Sequence, residues 1–300
     1  MNLNIYNLMY VDLNEKRYLS GRIYDNEERL DLYVKGCCVL DKTLKINNFS
    51  GGVKILTNHS TYIRESLKRL HYEQVEVIDI PFDLDVPQGI PFYSAHFKID
   101  VFRYFSTLSD EEYSILLDSD VVCMKPFGPE FEAIVNEGLP MVYYLNGYGG
   151  LRKLSDVNKI LPEFKWILWA GGEFIGGTAD FYDKLYKEII SFKDYYWKLV
   201  NDRLFHVGDE MLTSIALQRL RKYNVFPVDV QWLGFIHRYW SVYESKSIFK
   251  YNCPLLHLPG DKVFEKKINL EENSLDKLFR GYSMFHAQQR IKQMIRQIIK

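Results

Sequence analysis

Cysteine is scarce in this chain of 300 residues, which carries only Cys37, Cys38, Cys123 and Cys253. No C-x-x-C pair exists, and the adjacent Cys37 and Cys38 suit neither a zinc site nor a disulfide framework. Reduced, buried thiols are expected. Long apolar runs are also missing. No stretch approaches the roughly 20 residues that a transmembrane helix requires, and no basic segment followed by an apolar run marks a signal peptide. The expected location is therefore the cytoplasm. An excess of one charge is absent too: the net charge is −1, so the main body has no electrostatic pull towards nucleic acid, and no nucleic-acid partner is expected. Internal repeats and low-complexity linkers are lacking as well.

Aromatic residues are plentiful, with 22 Tyr, 19 Phe and 5 Trp. Such rings can stack on sugars or bases, but an aromatic core is the simpler expectation. Strand-like and helix-like stretches alternate over the first 130 residues. Strands are predicted at Asn4–Val11, Val53–Thr57, Val75–Ile80 and Tyr113–Asp118. Between them, helices are predicted over Asp25–Lys45, over His59–Leu70 with Asn58 as cap, and over Ala95–Phe105 with Ser94 as cap. This order predicts an α/β fold with a mostly parallel sheet flanked by helices. Ligands of such sheets sit outside the carboxyl ends of the strands.

Further on, the Gly-rich stretches Tyr143–Gly150 and Trp169–Thr178 read as loops around a pocket. Helices are predicted at Tyr182–Phe192 and Glu210–Lys222, with short strands at Val225–Val230 and Pro254–Leu258. The tail from Ser274 to Lys300 differs in kind. Ile291, Met294, Ile295, Ile298 and Ile299 follow helical spacing, while Arg290, Lys292, Arg296 and Lys300 supply cations. Such a helix either lies on an anionic membrane surface or docks on the domain with a solvated basic face.

The chemistry concentrates at Asp118 and Asp120, just past the apolar run Ile115–Leu117. A buried carboxylate is costly unless it is protonated, paired or bound to a cation. In an extended chain the two acids would face the same way, roughly 6.5 Å apart at Cα, an arrangement that can hold a divalent metal. The motif Asp118-Ser119-Asp120, after a hydrophobic strand, resembles the DxD of GT-A glycosyltransferases, and within them the glycogenin and lipopolysaccharide-hexosyltransferase group, family 8. Three further stretches support the resemblance in the same order. Lys98 to Arg103 resembles the helix before the DxD strand. Phe174 to Gly177 with Asp209-Glu210 resembles the acceptor-side elements, with Glu210 where that group has Gln. His257 to Lys262 resembles the H-x-x-G-x-x-K-P-W signature, with Lys262 one place early and no Pro-Trp after it.

The resemblance covers roughly residues 4 to 265. It implies a GT-A domain over 1–272, followed by the basic amphipathic helix of 273–300. It implies Mn²⁺ or Mg²⁺ held by Asp118, Asp120 and His257, with Asp118 shared between metal and ribose. It places Tyr10 and Asp12 near base and ribose, with Asn58 at a similar strand end, and makes Gly260 a donor-binding candidate; Lys98, Arg103 or Lys262 could add a cation to the diphosphate. Asp209 and Glu210 are then the catalytic candidates: an acid there could deprotonate an acceptor hydroxyl or stabilise an oxocarbenium-like state. Their simpler role is charge compensation at a helix start. The implied activity is retaining transfer of a hexosyl unit from a nucleotide sugar, UDP-linked by resemblance, to a glycan or lipid-linked glycan acceptor, as in surface polysaccharide synthesis. With the tail on a membrane, the location becomes peripheral on its inner face.

Two other readings remain open. The run Ile115 to Val122 also matches the nucleophile motif of haloacid dehalogenase-like phosphatases, with Asp118 attacking phosphate; that family places the motif on its first strand. A non-catalytic module that only binds a nucleotide sugar is the other.

Overall fold

A computed structural model of the chain describes residues 1–12, 18–19, 22–23, 26–145, 150–162, 164–200 and 204–299. In chain order it contains β1 (Asn2–Met9), β2 (Tyr18–Leu19), β3 (Arg22–Ile23), α1 (Asn26–Ile46), β4 (Val53–Thr57), α2 (Ser60–Arg69), β5 (Glu76–Asp79) and α3 (Lys98–Phe105). Next come β6 (Glu112–Leu117), β7 (Val121–Cys123), α4 (Pro129–Asn136), β8 (Met141–Tyr144), α5 (Gly150–Ile160), β9 (Ala170–Gly177), α6 (Ala179–Leu199) and α7 (Asp209–Leu220). The remainder is β10 (Val228–Asp229), β11 (Ile236–Arg238), β12 (Leu255–His257), α8 (Lys262–Glu265), α9 (Leu275–Leu278) and α10 (Tyr282–Ile299). The fold is mixed α/β, as the alternation of strands and helices predicts.

Two compact units divide the chain. The first comprises Met1–Asn4, Ile80–Leu117 and Pro129–Leu233; the second comprises Ile5–Asp79, Asp118–Gly128 and Gly234–Lys300. In the second unit β1, β4 and β5 run parallel, with Ile5 opposite Val53 and Lys54 opposite Glu76. A small sheet in the same unit pairs β12 antiparallel with β7 and parallel with β11. One apolar cluster unites these elements: Val34, Ile55, Val77, Val122, Leu256 and Phe264 all belong to it. Phe279 and Tyr282 join the same cluster, so the start of the tail is anchored by buried aromatic rings. Each such ring contributes on the order of 1.5–3 kcal/mol by leaving water.

In the first unit β9 is the central strand, antiparallel to β6 on one side and to β8 on the other, while β10 runs parallel to β8. Trp169–Thr178 therefore forms mainly a strand where the Gly-rich sequence predicts a loop, and Tyr143–Tyr144 likewise closes β8. The glycines are there for closeness rather than for flexibility. A Cβ at Gly177 would overlap the Phe181 ring, and one at Gly176 would stand 3.1 Å from Ile115 and Tyr113. Positions 146–149 of the other predicted loop lie outside the described residues.

Cap assignments also change. Asn58 does not cap α2; His59 does, its Nδ1 accepting from the Tyr62 amide at 3.3 Å. Ser94 lies inside a 3₁₀ turn, Tyr93–Phe97, and α3 begins only at Lys98. Helix α1 covers the predicted span from Asn26 on, with Asp25 outside the described residues. Helix α6 ends at Leu199 rather than at the predicted Phe192, and the strand predicted at Val225–Val230 shrinks to Val228–Asp229. The aromatic-core expectation holds: among the described residues the twelve largest fully buried side chains are all Tyr or Phe. All four cysteines are buried and free.

Candidate active site

Strand β6 ends at Leu117 because the next residues turn. The Val121 amide donates to the Asp118 carbonyl at 3.2 Å, closing a tight loop before β7 begins. Asp118 and Asp120 thus lie in a turn, not at alternate positions of an extended strand as the sequence pattern predicts. Strand pairing then supplies the third group. His257 is the register partner of Val121, and the Leu258 amide donates to the Asp120 carbonyl at 2.8 Å. The imidazole Nε2 consequently sits 3.1 Å from Asp120 Oδ1 and 3.9 Å from Asp118 Oδ2.

One ligand atom from each of Asp118, Asp120 and His257 falls within 4.8 Å of the others. Ligand atoms bound at about 2.1 Å to one octahedral ion stand about 3 Å apart when adjacent, so the geometry fits a divalent metal after small adjustment. The two carboxylate oxygens suit a hard divalent cation, and the imidazole nitrogen suits a transition metal better than Mg²⁺. Asp118 is the most open of the three, its side chain 31% exposed against 4% for Asp120 and 7% for His257.

Lys262, expected at a diphosphate, donates to Asp120 Oδ2, and its ammonium lies 4.9 Å from the centre of the Tyr33 ring. Burial alone would push the Asp120 carboxyl up; the Lys262 ammonium and His257 imidazole overcome it and hold the group well below the usual carboxylate range. Burial would likewise lower Lys262, and Asp120 more than reverses that. Glu265, one helical turn further along α8, is 2% exposed. Burial first and the charge of Asp120 second push it from its ordinary 4.5 to about 8.

Neither Tyr33, Glu265 nor Gly36 stands out in the sequence as a site residue. Gly36 does carry a signal: an isolated glycine inside a helix often marks a close approach. A Cβ there would overlap the Ser119 carbonyl oxygen and stand 3.3 Å from Glu265 Oε2. The absence of a side chain lets α1 pack directly on the acidic turn.

The base and ribose candidates of the second unit stand at the carboxyl ends of adjacent parallel strands. Tyr10 and Asp12 follow β1 and Asn58 follows β4. Asn58 ties the two ends together, its Oδ1 accepting from the Val11 amide at 2.7 Å and its Nδ2 donating to the Val11 carbonyl at 3.0 Å. Gly260 lies under Trp240, whose ring carbon would be 3.5 Å from a Cβ there.

The remaining candidates cluster in the first unit. Lys98, expected near a diphosphate, is 8% exposed; its ammonium donates to the Gly172 carbonyl at 2.8 Å and pairs with Asp209 Oδ2 at 3.1 Å. Asp209 and Glu210 open α7, as acids at a helix start should. The Glu210 carboxylate accepts from the Trp169 indole at 2.9 Å and from the Gly172 amide at 3.2 Å. Gly208 caps the helix at φ +139°, a conformation that disfavours any side chain.

No family model matches the chain, and no curated protein matches it in sequence. Solved structures do match. An active-site mutant of LgtC aligns at a TM-score of 0.50 and 11% identity, over 85% of this chain and 86% of that one. The apo form of mouse xyloside xylosyltransferase 1 aligns at 0.49 and 11%, over 86% and 97%. The chain has the GT-A glycosyltransferase fold. The DxD turn, the distant imidazole and the mostly parallel α/β sheet predicted from the sequence are all present within that fold. Among the described residues no helix is long and apolar enough to cross a membrane.

Proposed function

We propose that the protein is a metal-dependent glycosyltransferase, moving a hexosyl unit from a UDP-sugar to a glycan or lipid-linked glycan with retention of anomeric configuration. The observation that carries this reading is the meeting of Asp118 and Asp120 with His257, 137 residues further along the chain, inside a GT-A fold. These three residues would hold Mn²⁺ or Mg²⁺. A cation there supplies Lewis-acid neutralisation of the diphosphate as it departs. Tyr10, Asp12 and Asn58 are assigned to base and ribose, and Gly260 and Lys262 to the diphosphate. The donor being UDP-linked, the hexosyl unit and the retaining course rest on the family resemblance.

Lys98, Asp209 and Glu210 form a separate assignment. Lys98 is first of all the counter-ion of Asp209. Glu210, whose carboxylate accepts from two N–H donors and is thereby fixed in place, is assigned to stabilising positive charge at the anomeric carbon. The phosphatase reading loses its context in a GT-A fold, where the acidic turn follows the sixth strand.

Helix α10 supports contact with an anionic membrane on the cytoplasmic side. Ile291, Met294 and Ile295 are about half exposed, and Lys292 and Arg296 are exposed beside them. Ile298, Ile299 and Lys300 lie outside the described side chains. Replacing Ile291, Met294 and Ile295 together by Gln should abolish sedimentation with anionic vesicles and leave the melting temperature unchanged; equal sedimentation would end the membrane assignment.

The main test is a thermal-shift screen of UDP-sugars with and without Mn²⁺, followed by turnover of the stabilising donor. Stabilisation that depends on Mn²⁺ is expected. Asp120→Asn should lower turnover about 10²–10³-fold, the scale for losing one contact to developing charge. Donor binding without turnover under any acceptor would favour the non-catalytic module instead.

A further inference from the structure

We infer that Lys262 is a resident cation of the acidic turn, which a divalent ion must displace, and that this displacement couples metal binding to diphosphate binding. The inference rests on the metal reading above and concerns how that site is regulated. Both oxygens of Asp120 are engaged: Oδ1 faces His257 Nε2 at 3.1 Å, and Oδ2 accepts from the Lys262 ammonium. A divalent ion that takes Asp120 as a ligand would meet that ammonium across a single carboxylate, in a site where Asp120 and His257 are almost fully buried. Two like charges so close in poor solvent repel strongly. The ammonium has to leave.

Glu265 offers it another partner. That side chain starts one turn after Lys262 in α8, is buried, and its Oε1 has no hydrogen-bond partner among the described residues. A buried carboxyl oxygen without a donor is uncommon and costly. Moving the Lys262 head from Asp120 towards Glu265 would satisfy that oxygen and empty the Asp120 side of the turn. An arriving diphosphate gives the same ammonium a stronger anionic partner.

Two consequences follow from linkage. Metal alone binds below the intrinsic strength of the Asp118, Asp120 and His257 set, because binding first breaks the Lys262–Asp120 pair. Metal and nucleoside diphosphate then strengthen each other by the same factor, since each lowers the cost of releasing or re-partnering one side chain.

The experiment titrates Mn²⁺ into wild type, Lys262→Met and Glu265→Gln, and into the Lys262→Met/Glu265→Gln double variant, each with and without UDP. Free Mn²⁺ is read by electron paramagnetic resonance, and near-ultraviolet circular dichroism checks the fold. Lys262→Gln serves as the second replacement should Lys262→Met not fold. Lys262→Met should bind Mn²⁺ alone roughly tenfold more tightly, within the range of site-to-site coupling, and UDP should enhance Mn²⁺ binding less than in wild type. Glu265→Gln should weaken Mn²⁺ binding only where Lys262 is present. Unchanged or weaker Mn²⁺ binding by Lys262→Met, beside a wild type that binds, overturns the resident-cation inference and leaves the metal reading standing. An equal Glu265→Gln effect in both backgrounds overturns the role of Glu265. No Mn²⁺ binding by any variant, with or without UDP, overturns the metal reading itself.

Discussion

Each unit of this protein buries carboxylates beside a lysine, yet the two clusters are built to opposite ends. In the first unit the Glu210 carboxylate accepts from an indole and a backbone amide, while Asp209 and the Gly172 carbonyl share the Lys98 ammonium. Donors there come from β9, from Trp169 just before it and from the first residue of α3. In the second unit the carboxylates project from a three-residue turn towards one imidazole, and the cation beside them sits on a four-residue helix. Fixed hydrogen-bond donors suit a carboxylate to accepting; a convergent pair beside a single ammonium is the arrangement proposed above to take a metal. Net charge and residue type alone would not separate the two cases.

Three variants test that contrast, beginning with the largest effect. Lys98→Met leaves Asp209 buried without its counter-ion, and should cost about 3–5 kcal/mol of stability in denaturant unfolding, the scale for breaking one side of a buried pair. Adding Asp209→Leu should recover much of the loss. A cost below about 1 kcal/mol for Lys98→Met would mean that water reaches the pair and that the first cluster is no more rigid than the second.

Glu265→Gln probes the second cluster through pH. The folded state holds the Glu265 proton up to about pH 8, while the unfolded chain releases it near its ordinary 4.5. Between those values the native state binds more protons, so stability falls as pH rises, and it levels off above about 8. The expected fall is a few kcal/mol, at roughly 1.4 kcal/mol for each tenfold difference in proton affinity between the folded and unfolded chain. Glu265→Gln should flatten the curve over that window in a series of urea melts. An unaltered slope would show that Glu265 ionises as readily in the fold as out of it.

Gly36→Ala carries the smallest expected effect. Its Cβ would overlap the Ser119 carbonyl, which should cost about 1–3 kcal/mol, as overpacking does, and displace the turn that carries both aspartates. Reduced Mn²⁺ affinity should accompany the lower melting temperature. Lower stability with unchanged metal affinity would show that the turn holds its shape without α1.

Local patterns make much of this visible in advance. The alternation of β and α segments, the acids past an apolar run and the distant His-x-x-Gly can be read because each depends on neighbours in the sequence. The failures share a cause. The Gly-rich stretch Gly172 to Gly177 looks like a loop by composition, but Gly172 answers to Lys98 and Asp209, and Gly176 and Gly177 to Ile115, Tyr113 and Phe181. Asn58 has the chemistry of a cap, but the backbone of Val11, just past the end of β1, claims its amide. Lys262 is a different case: the fold sets it against Asp120, a pairing no local pattern records, and its diphosphate role stands as proposed above.

The sequence by itself determined which elements form and which residue types are present to bind a cation, since strand and helix periodicity and side-chain chemistry are local properties. Only the tertiary structure decided which charges meet. The antiparallel register of β12 on β7 puts the His257 imidazole against Asp120, and Lys98 at the start of α3 meets both the Gly172 carbonyl of β9 and Asp209 of α7. Pairings across more than 100 residues are set by how surfaces fit together, and no local pattern records that.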